Sequence, residues 1–199
     1  MKTIQIILLL LLSTSLSIAQ QTKKTIVFSP KSELNIAGSS NVNNFQCLFE
    51  TKKLNQFPIS YNKIQNEIHF HQATLILPNT HFDCGGRGIN RDFHSLIQTN
   101  IHPEIQLTLK RIKPKSNRNN IVEVLVDIKI AGKTNSYKLD ARFDRNGHMN
   151  INGKLKLNLN DFDLKAPKKL LGMIVISDQV EIDFNLFISE KGKSVAFSD

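Results

Sequence analysis

The residues best suited to bind a metal ion are two histidines separated by a single residue, His69 and His71. On a strand this spacing directs both imidazoles to one face, where His81 or His94 could add a further ligand. Pairs of this kind are usually solvent-facing strand residues that bind nothing. We therefore predict no metal ion and no other cofactor.

A glycine-rich segment, Cys84-Gly85-Gly86-Arg87-Gly88, is flexible enough to approach a phosphate group. It lacks the Lys-Ser/Thr pair of a phosphate-binding loop, so a tight turn from a disulfide into a helix is the favoured interpretation. Arg87 and Arg91 either contact an anionic or polar head group or carry ordinary surface charge. The sequence has no Gly-x-Ser-x-Gly elbow and no cysteine beside a recognisable histidine motif, so we predict that the protein is not an enzyme.

The two cysteines, Cys47 and Cys84, gain meaning from the N-terminal segment. Residues 1–19 combine a basic residue with an apolar run and the small residues Ser17 and Ala19, which indicates a secretory signal peptide cleaved after Ala19. The apolar run is short for a membrane span, which disfavours an uncleaved anchor. We expect an exported protein, periplasmic or extracellular, in which Cys47 and Cys84 form a disulfide bond; two buried free thiols are the alternative. Their separation fits no zinc-ligand spacing.

Charge and composition limit the partners. The formal net charge is +9, and 40% of the residues are hydrophobic, which excludes a disordered chain. A basic exported protein can bind acidic partners such as an anionic membrane surface, but a solvated basic surface is the favoured explanation of the charge. The basic residues are scattered and no nucleic-acid motif accompanies them, so we predict no nucleic-acid partner. The oligomeric state stays open.

Alternating hydrophobic residues dominate the C-terminal half and predict four strands, about 121–131, 137–144, 149–159 and 180–188. Ala131-Gly132-Lys133 and Asp144-Arg145-Asn146-Gly147 are typical of hairpin connections. Shorter alternating segments in the N-terminal half predict further strands around residues 26–28, 34–36, 45–49, 67–77 and 105–109. The phase slips between Phe70 and Ala73, which indicates a β-bulge near Gln72.

Two segments depart from alternation. Ile89, Phe93, Leu96 and Ile97 have helical spacing, so we predict a short helix over about Asn90–Thr99. Asp161–Gly172 contains a proline and is expected to be a long connection with one helical turn.

Roughly eight strands, each with one apolar face, and a single helix indicate an all-β, antiparallel barrel or sandwich. The barrel is favoured because closure leaves no strand edge open to aggregation. Such a barrel is either filled by its own side chains or holds one small ligand. Any cavity would be apolar and would suit an alkyl or isoprenoid chain. The inward residues predicted to line it are Phe45, Phe49, Val124, Val126, Leu139, Phe143, Leu155, Leu157, Ile182 and Phe184.

Three segments resemble the YceI-like family of exported lipid-binding proteins. Ser32–Phe45 contains Gly38-Ser39-Ser40-Asn41-Val42 and is similar to the opening strand and turn of the family. Gly88–Leu96, followed by His102-Pro103-Glu104-Ile105, is similar to its short helix and the start of the next strand. Asp161-Phe162-Asp163-Leu164-Lys165-Ala166-Pro167, leading to Asp178–Ile182, is close to its Asp-Phe-Gly-x-x-x-Pro connection and final strand. Asp163 stands where the family often has Gly, and Phe45 where this branch often has Trp.

The resemblance implies a single domain over residues 20–199 with an eight-stranded lipocalin-like barrel and one short helix. It also implies that the interior holds a long-chain amphiphile, a polyisoprenoid or another lipid. A solid barrel that acts through its surface, as an envelope structural or protein-interaction module, is the alternative.

Overall fold

The computed structural model describes residues 21–54, 56–116, 120–144, 149–166, 168–169 and 173–191. The predicted signal peptide, residues 1–19, lies outside these ranges, as do Arg145–Gly147 of the second predicted hairpin and Pro167 and Gly172 of the long connection. The strands are β1 Thr22–Phe28, β2 Glu33–Ser40, β3 Asn44–Phe49, β4 Phe57–Ile64, β5 Glu67–Gln72, β6 Thr74–Pro78, β7 Phe82–Asp83, β8 Glu104–Pro114, β9 Ile121–Ile130, β10 Lys133–Asp144, β11 Met149–Asn158, β12 Lys168–Lys169 and β13 Ile174–Glu190.

Antiparallel pairing closes eight of these strands into a ring in the order β1-β4-β5-β8-β9-β10-β11-β13, because β13 pairs with β1 as well as with β11. We call this ring the barrel. β2 continues the line of β1 along β13, and β6 continues the line of β5 along β8. β3 and β7 extend the sheet from β2. The predicted all-β, antiparallel, eight-stranded architecture is confirmed.

The helix among the described residues, α1, spans Arg87–Leu96, so the prediction of Asn90–Thr99 was displaced by three residues at each end. Asn90 therefore lies inside the helix, and its side chain accepts a hydrogen bond from the Cys84 amide at 2.6 Å. The helix ends before Gln98, which has a positive φ of 55°. The sequence signal used to end it, His102-Pro103, lies beyond the turns that follow.

The predicted bulge is present. Tyr61 pairs with Phe70 and Ser60 pairs with Gln72, so β5 carries one extra residue, His71, against β4. Ala73 then separates β5 from β6. The extra residue moves the inward-facing positions from even numbers in β5 to odd numbers in β6, which is the phase slip seen in the sequence.

Two connections at one end of the barrel were also predicted. Ala131 and Gly132 join β9 to β10 with φ values of 48° and 81°, the paired positive angles of a tight two-residue hairpin. Leu159–Phe162 forms a 3₁₀ turn that overlaps only the start of the connection predicted over Asp161–Gly172, so the expected helical turn lies earlier in the chain than predicted. We call the end of the barrel that holds α1 and these connections the helix end, and the end that holds the β4–β5 turn at Gln65 and Asn66 the hairpin end.

Candidate functional site

The inward face of the barrel is defined by strand register. Val124 lies opposite Leu139, and Leu155 lies opposite Ile182. Because residues directly opposite each other share a face, every second residue of these strands points to the interior. The alternation read from the sequence therefore assigns the inward faces of β9, β10, β11 and β13 correctly.

The helix end is filled by protein. Ile89, Phe93 and Leu96 of α1 pack against a buried cluster that includes Phe162, only 2% exposed, and Ile128, only 1% exposed. Close packing of this kind leaves no room for a ligand. The buried members of the cluster are Leu34, Cys47, Phe49, Leu77, Phe82, Cys84, Ile97, Ile105, Ile128, Ile130, Leu155, Leu157, Leu159, Phe162 and Leu164.

Towards the hairpin end the inward side chains are only partly buried. Phe143, Ile151 and Leu186 share one inward row across β10, β11 and β13, and each retains surface accessible to water. These inward side chains are therefore less completely packed than those of the buried cluster at the helix end. The other partly buried inward residues of this region are Phe28, Phe57, Ile59, Tyr61, Ile68, Phe70, Ile112, Val122, Val124 and Ile188.

The ten residues predicted to line a ligand are divided between these two environments. Phe49, Leu155 and Leu157 lie in the buried cluster of the helix end. Val124 and Phe143 lie among the partly accessible residues of the hairpin end. The remaining five are partly buried. Four of them pack against the cluster: Val126, Leu139, Ile182 and Phe184. The fifth, Phe45, lies over the backbone of Gly38.

The predicted site residues include none from β1, β4 or the end of β13, although strands at 26–28 and 180–188 were predicted. Phe28 and Phe57 stack with ring centroids 5.6 Å apart, and Tyr61 lies 5.7 Å from Phe70. The alternation of Phe57, Ile59 and Tyr61 was available as a signal, but Pro58 interrupts that segment and obscured the strand.

A salt bridge lies on the same inward face. Lys24 contacts Glu190 at the point where β1 meets the end of β13. The pKa of Lys24 is raised, chiefly by its hydrogen bond to Glu190, against the opposing effect of burial, with Tyr61 adding to the rise. Both residues of the salt bridge line a cavity of about 560 Å³ together with Ile59, Ser60 and other residues of β1 and β4.

The structure joins Cys47 to Cys84 by a disulfide, which confirms the predicted bridge. The bond links β3 to the turn that precedes α1. Asp83 braces this turn by accepting hydrogen bonds from the Asn90 side chain at 2.9 Å and the Gly85 amide at 3.0 Å. These contacts lower the pKa of the Asp83 carboxyl, the bond from Asn90 most strongly. The glycine-rich segment thus forms the turn from a disulfide into a helix.

The predicted metal candidates are dispersed. His69 is hydrogen-bonded to Glu67 at 3.1 Å, and His71 is exposed at the bulge. His94 contacts the carbonyl of Asn79, far from both along the chain. The described part of the chain contains no group of three or more histidine, cysteine or acidic residues arranged to hold a metal ion. Arg91 and the neighbouring Arg87 are exposed on α1.

The barrel has eight strands, an apolar inward face and a helix that covers one end. A family comparison agrees with this architecture, because the model of the YceI-like domain matches residues 20–188. The chain belongs to the YceI-like family. The resemblance read from its three motifs is confirmed. No curated protein matches the sequence.

Solved structures of YceI-like proteins share the fold. The crystal structure of BcnA from Burkholderia cenocepacia has a TM-score of 0.66 and 15% identity, with 82% of this chain and 99% of that chain covered. A polyisoprenoid-binding domain from Saccharophagus degradans, implicated in plant cell wall breakdown, has a TM-score of 0.60 and 15% identity, covering 85% and 99%. Within the described residues, no helix has the length and apolar character needed to cross a membrane.

The structure accounts for the departure at Asp163 and shows what surrounds the aromatic residue at position 45. Asp163, where the family often has Gly, has a φ of 57° in the left-handed region that Gly and Asp tolerate better than most residues. Phe45 lies with its ring over Gly38, where an added Cβ would come within 2.4 Å of the ring. The absence of a side chain at Gly38 therefore makes room for an aromatic ring at position 45.

Proposed function

We propose that this protein binds one long-chain amphiphile, a polyisoprenoid or another lipid, in the apolar interior of its barrel. The observation that carries the proposal is the unequal filling of that interior. The helix end is packed solid, whereas inward residues towards the hairpin end, such as Phe143, Ile151 and Leu186, retain accessible surface. Transfer of a hydrocarbon chain onto such a surface is favourable by about 25 cal/mol per Å² of apolar area buried.

Family relatives support the same ligand class. One structural neighbour is described as a polyisoprenoid-binding domain. At 15% identity that neighbour shares the fold, so the step from its ligand to this chain rests on the interior described above. Binding, rather than catalysis, is the activity that we propose.

We also propose that the protein is exported. The disulfide between Cys47 and Cys84 supports an oxidising compartment, and residues 1–19 have the composition of a secretory signal. The mature protein would then act in the periplasm or outside the cell, with the lipid as its partner and an anionic membrane surface as the source from which the lipid is collected.

Filling the interior tests the binding proposal. Val124→Trp adds a large ring on the inward face of the hairpin-end half, and Leu125→Trp adds the same ring one residue away on the outer face. We expect Val124→Trp to weaken the binding of a fluorescent isoprenoid by about tenfold or more, because the ring occupies the space of several methylene groups. Leu125→Trp should bind as the unmodified protein does.

Native mass spectrometry of protein extracted mildly from its own host provides the second measurement. A bound mass in the lipid range supports the proposal. Protein that is persistently empty, and that also fails to take up the fluorescent isoprenoid, would contradict it and would favour the solid barrel with a structural or protein-interaction role.

A further inference from the structure

A salt bridge inside an apolar barrel requires an explanation. Lys24 shares a face of β1 with Ile26 and Phe28, and Ile26 is only 5% exposed. Glu190, at the end of β13, lies opposite Ile26. The side chains of Lys24 and Glu190 are 29% and 20% exposed, so both charges lie partly out of water beside apolar residues.

Lys24 and Glu190 lie where the apolar inward face reaches the cavity of about 560 Å³. Tyr61 lies on the same face of β4 as Ile59, the residue opposite Lys24, and two positions further along the strand. Ser60 and Gln72 also line this cavity, but Ser60 pairs with Lys23 and with Gln72, so both point to the outer face of the sheet. Lys23 and Lys191 reach the same cavity, but both are exposed and water screens their charge.

We propose that Lys24 and Glu190 form the subsite for the polar head group of the bound amphiphile and select a head group without net charge, such as a hydroxyl or a primary amide. This inference rests on the proposed function, because it assigns the head-group end of the same ligand. The class of head group follows from the hydrogen bonds that Lys24 can donate and Glu190 can accept, and not from their charges alone.

An uncharged hydroxyl or amide both donates and accepts hydrogen bonds. It can accept from the Lys24 ammonium and donate to the Glu190 carboxylate without separating the two ions. A phosphate or carboxylate head group would approach Lys24 but would be repelled by Glu190. An ammonium head group would approach Glu190 but would be repelled by Lys24. In either case one partner of the salt bridge is left with a like charge in a partly dehydrated site.

Matched probes with the same chain test this selectivity. Geranylgeraniol, geranylgeranyl phosphate and geranylgeranylamine carry neutral, anionic and cationic head groups on one isoprenoid chain. We expect the unmodified protein to bind the alcohol about tenfold more tightly than either charged probe, in competition with a fluorescent isoprenoid. Equal affinity for all three probes would overturn the inference.

Charge-removing variants give opposite shifts. Glu190→Gln should raise the affinity for the phosphate and lower the affinity for the amine, each by about tenfold. Lys24→Gln should do the reverse. Opposite signs cannot arise from a general loss of stability, which would weaken all three probes together. Glu181→Gln is the control, because Glu181 belongs to an outward salt bridge with Lys154 and its loss changes the net charge by the same amount.

The outcomes separate the two proposals. If the isoprenoid chain binds but the variants leave the order of the head groups unchanged, the head-group subsite is wrong and the lipid-binding function stands. If none of the probes binds to folded protein, the proposed function fails and the subsite fails with it.

Discussion

At the scale of single residues, the face on which a side chain lies determines what it can do. Val126 and Leu125 are neighbours in β9 and have opposite orientations: Val126 packs against the buried cluster, whereas Leu125 lies opposite the exposed Lys138. Phe143 also points inward but lies in the incompletely filled region. These three positions differ in the environment that a new charge would meet, and they therefore provide a graded test of the inward face.

We predict that Val126→Asp lowers the free energy of unfolding by about 3 kcal/mol or more, because it places an unpaired charge against packed apolar residues. Phe143→Asp should cost less, about 1 to 2 kcal/mol in total, because its ring is only partly buried and water can reach the new carboxylate. Leu125→Asp is the control and should change stability by less than about 1 kcal/mol. Urea unfolding measures all three, and an equal effect at positions 125 and 126 would show that the assignment of faces is wrong.

The backbone at Asp163 gives a second residue-scale prediction. Asp163 follows the 3₁₀ turn that places Phe162 in the buried cluster, and its φ is 57°. Replacing it with Gly or Ala removes the salt bridge to Lys133 equally, so the two variants differ mainly in their tolerance of positive φ. We expect Asp163→Gly to be more stable than Asp163→Ala by about 1 kcal/mol in thermal unfolding. Equal stability of the two variants would contradict a backbone explanation for Gly at this position in the family.

At the scale of elements, the disulfide holds β3 against the turn that leads into α1. The 37-residue separation between Cys47 and Cys84 contains β4, β5 and β6, so the bond closes a loop that crosses much of the barrel. α1 contributes Ile89, Phe93 and Leu96 to the helix end. Its position depends on the Cys84 turn, because Asn90 is bonded to both Cys84 and Asp83.

We predict that the double variant Cys47→Ala/Cys84→Ala loses about 3 to 4 kcal/mol of unfolding free energy, the chain-entropy value for a loop of this length. Unfolding in the presence of a reducing agent should give a similar loss in the unmodified protein. The double variant supplies the control, since the same reducing agent should leave it unaffected. A double variant as stable as the oxidised protein would mean that the bond contributes nothing to holding the helix end.

The elements also show how far the sequence could predict this structure. Strands with regular alternation, such as β9 and β10, were predicted with their faces because period two follows directly from strand geometry. β4 was missed because Pro58 interrupts its alternation, and α1 was displaced because the turn at Cys84 starts the helix earlier than its apolar residues do. The pairing of β1 with β13, which closes the barrel, joins residues more than 150 positions apart and has no local signal.

The same limit applies to the candidate site. Alternation identified inward residues such as Val124 and Leu155 but not which end of the barrel each occupies. The division between a filled and an incompletely filled end depends on α1 and the Leu159–Phe162 turn covering one opening, which is a property of the assembled fold. Lys24 and Glu190 were missed because a charged residue on an alternating strand is normally read as facing solvent.

At the scale of the whole molecule, the unequal filling of the barrel predicts where a ligand stabilises it. A lipid bound between inward residues of the hairpin-end half adds apolar contacts there and none to the buried cluster. Ligand that binds only the folded state raises its stability by about 2.7 kcal/mol when its free concentration is one hundred times the Kd. For a domain of this size that corresponds to a rise in Tm of about 5 to 10 °C.

We therefore predict that loading delipidated protein with geranylgeraniol raises the Tm and slows amide hydrogen exchange chiefly in β1, β4 and β5, in the hairpin-end parts of β9, β10 and β11, and in the half of β13 that follows Ile182. Exchange in α1 and in the Ile128–Lys133 segment should change little, because that end is already packed without ligand. Geraniol, with half the chain length, is the control and should give a smaller shift at the same concentration because it buries less apolar area. Protection spread evenly over both ends, or confined to α1, would place the ligand outside the interior and would require a different binding site on the same barrel.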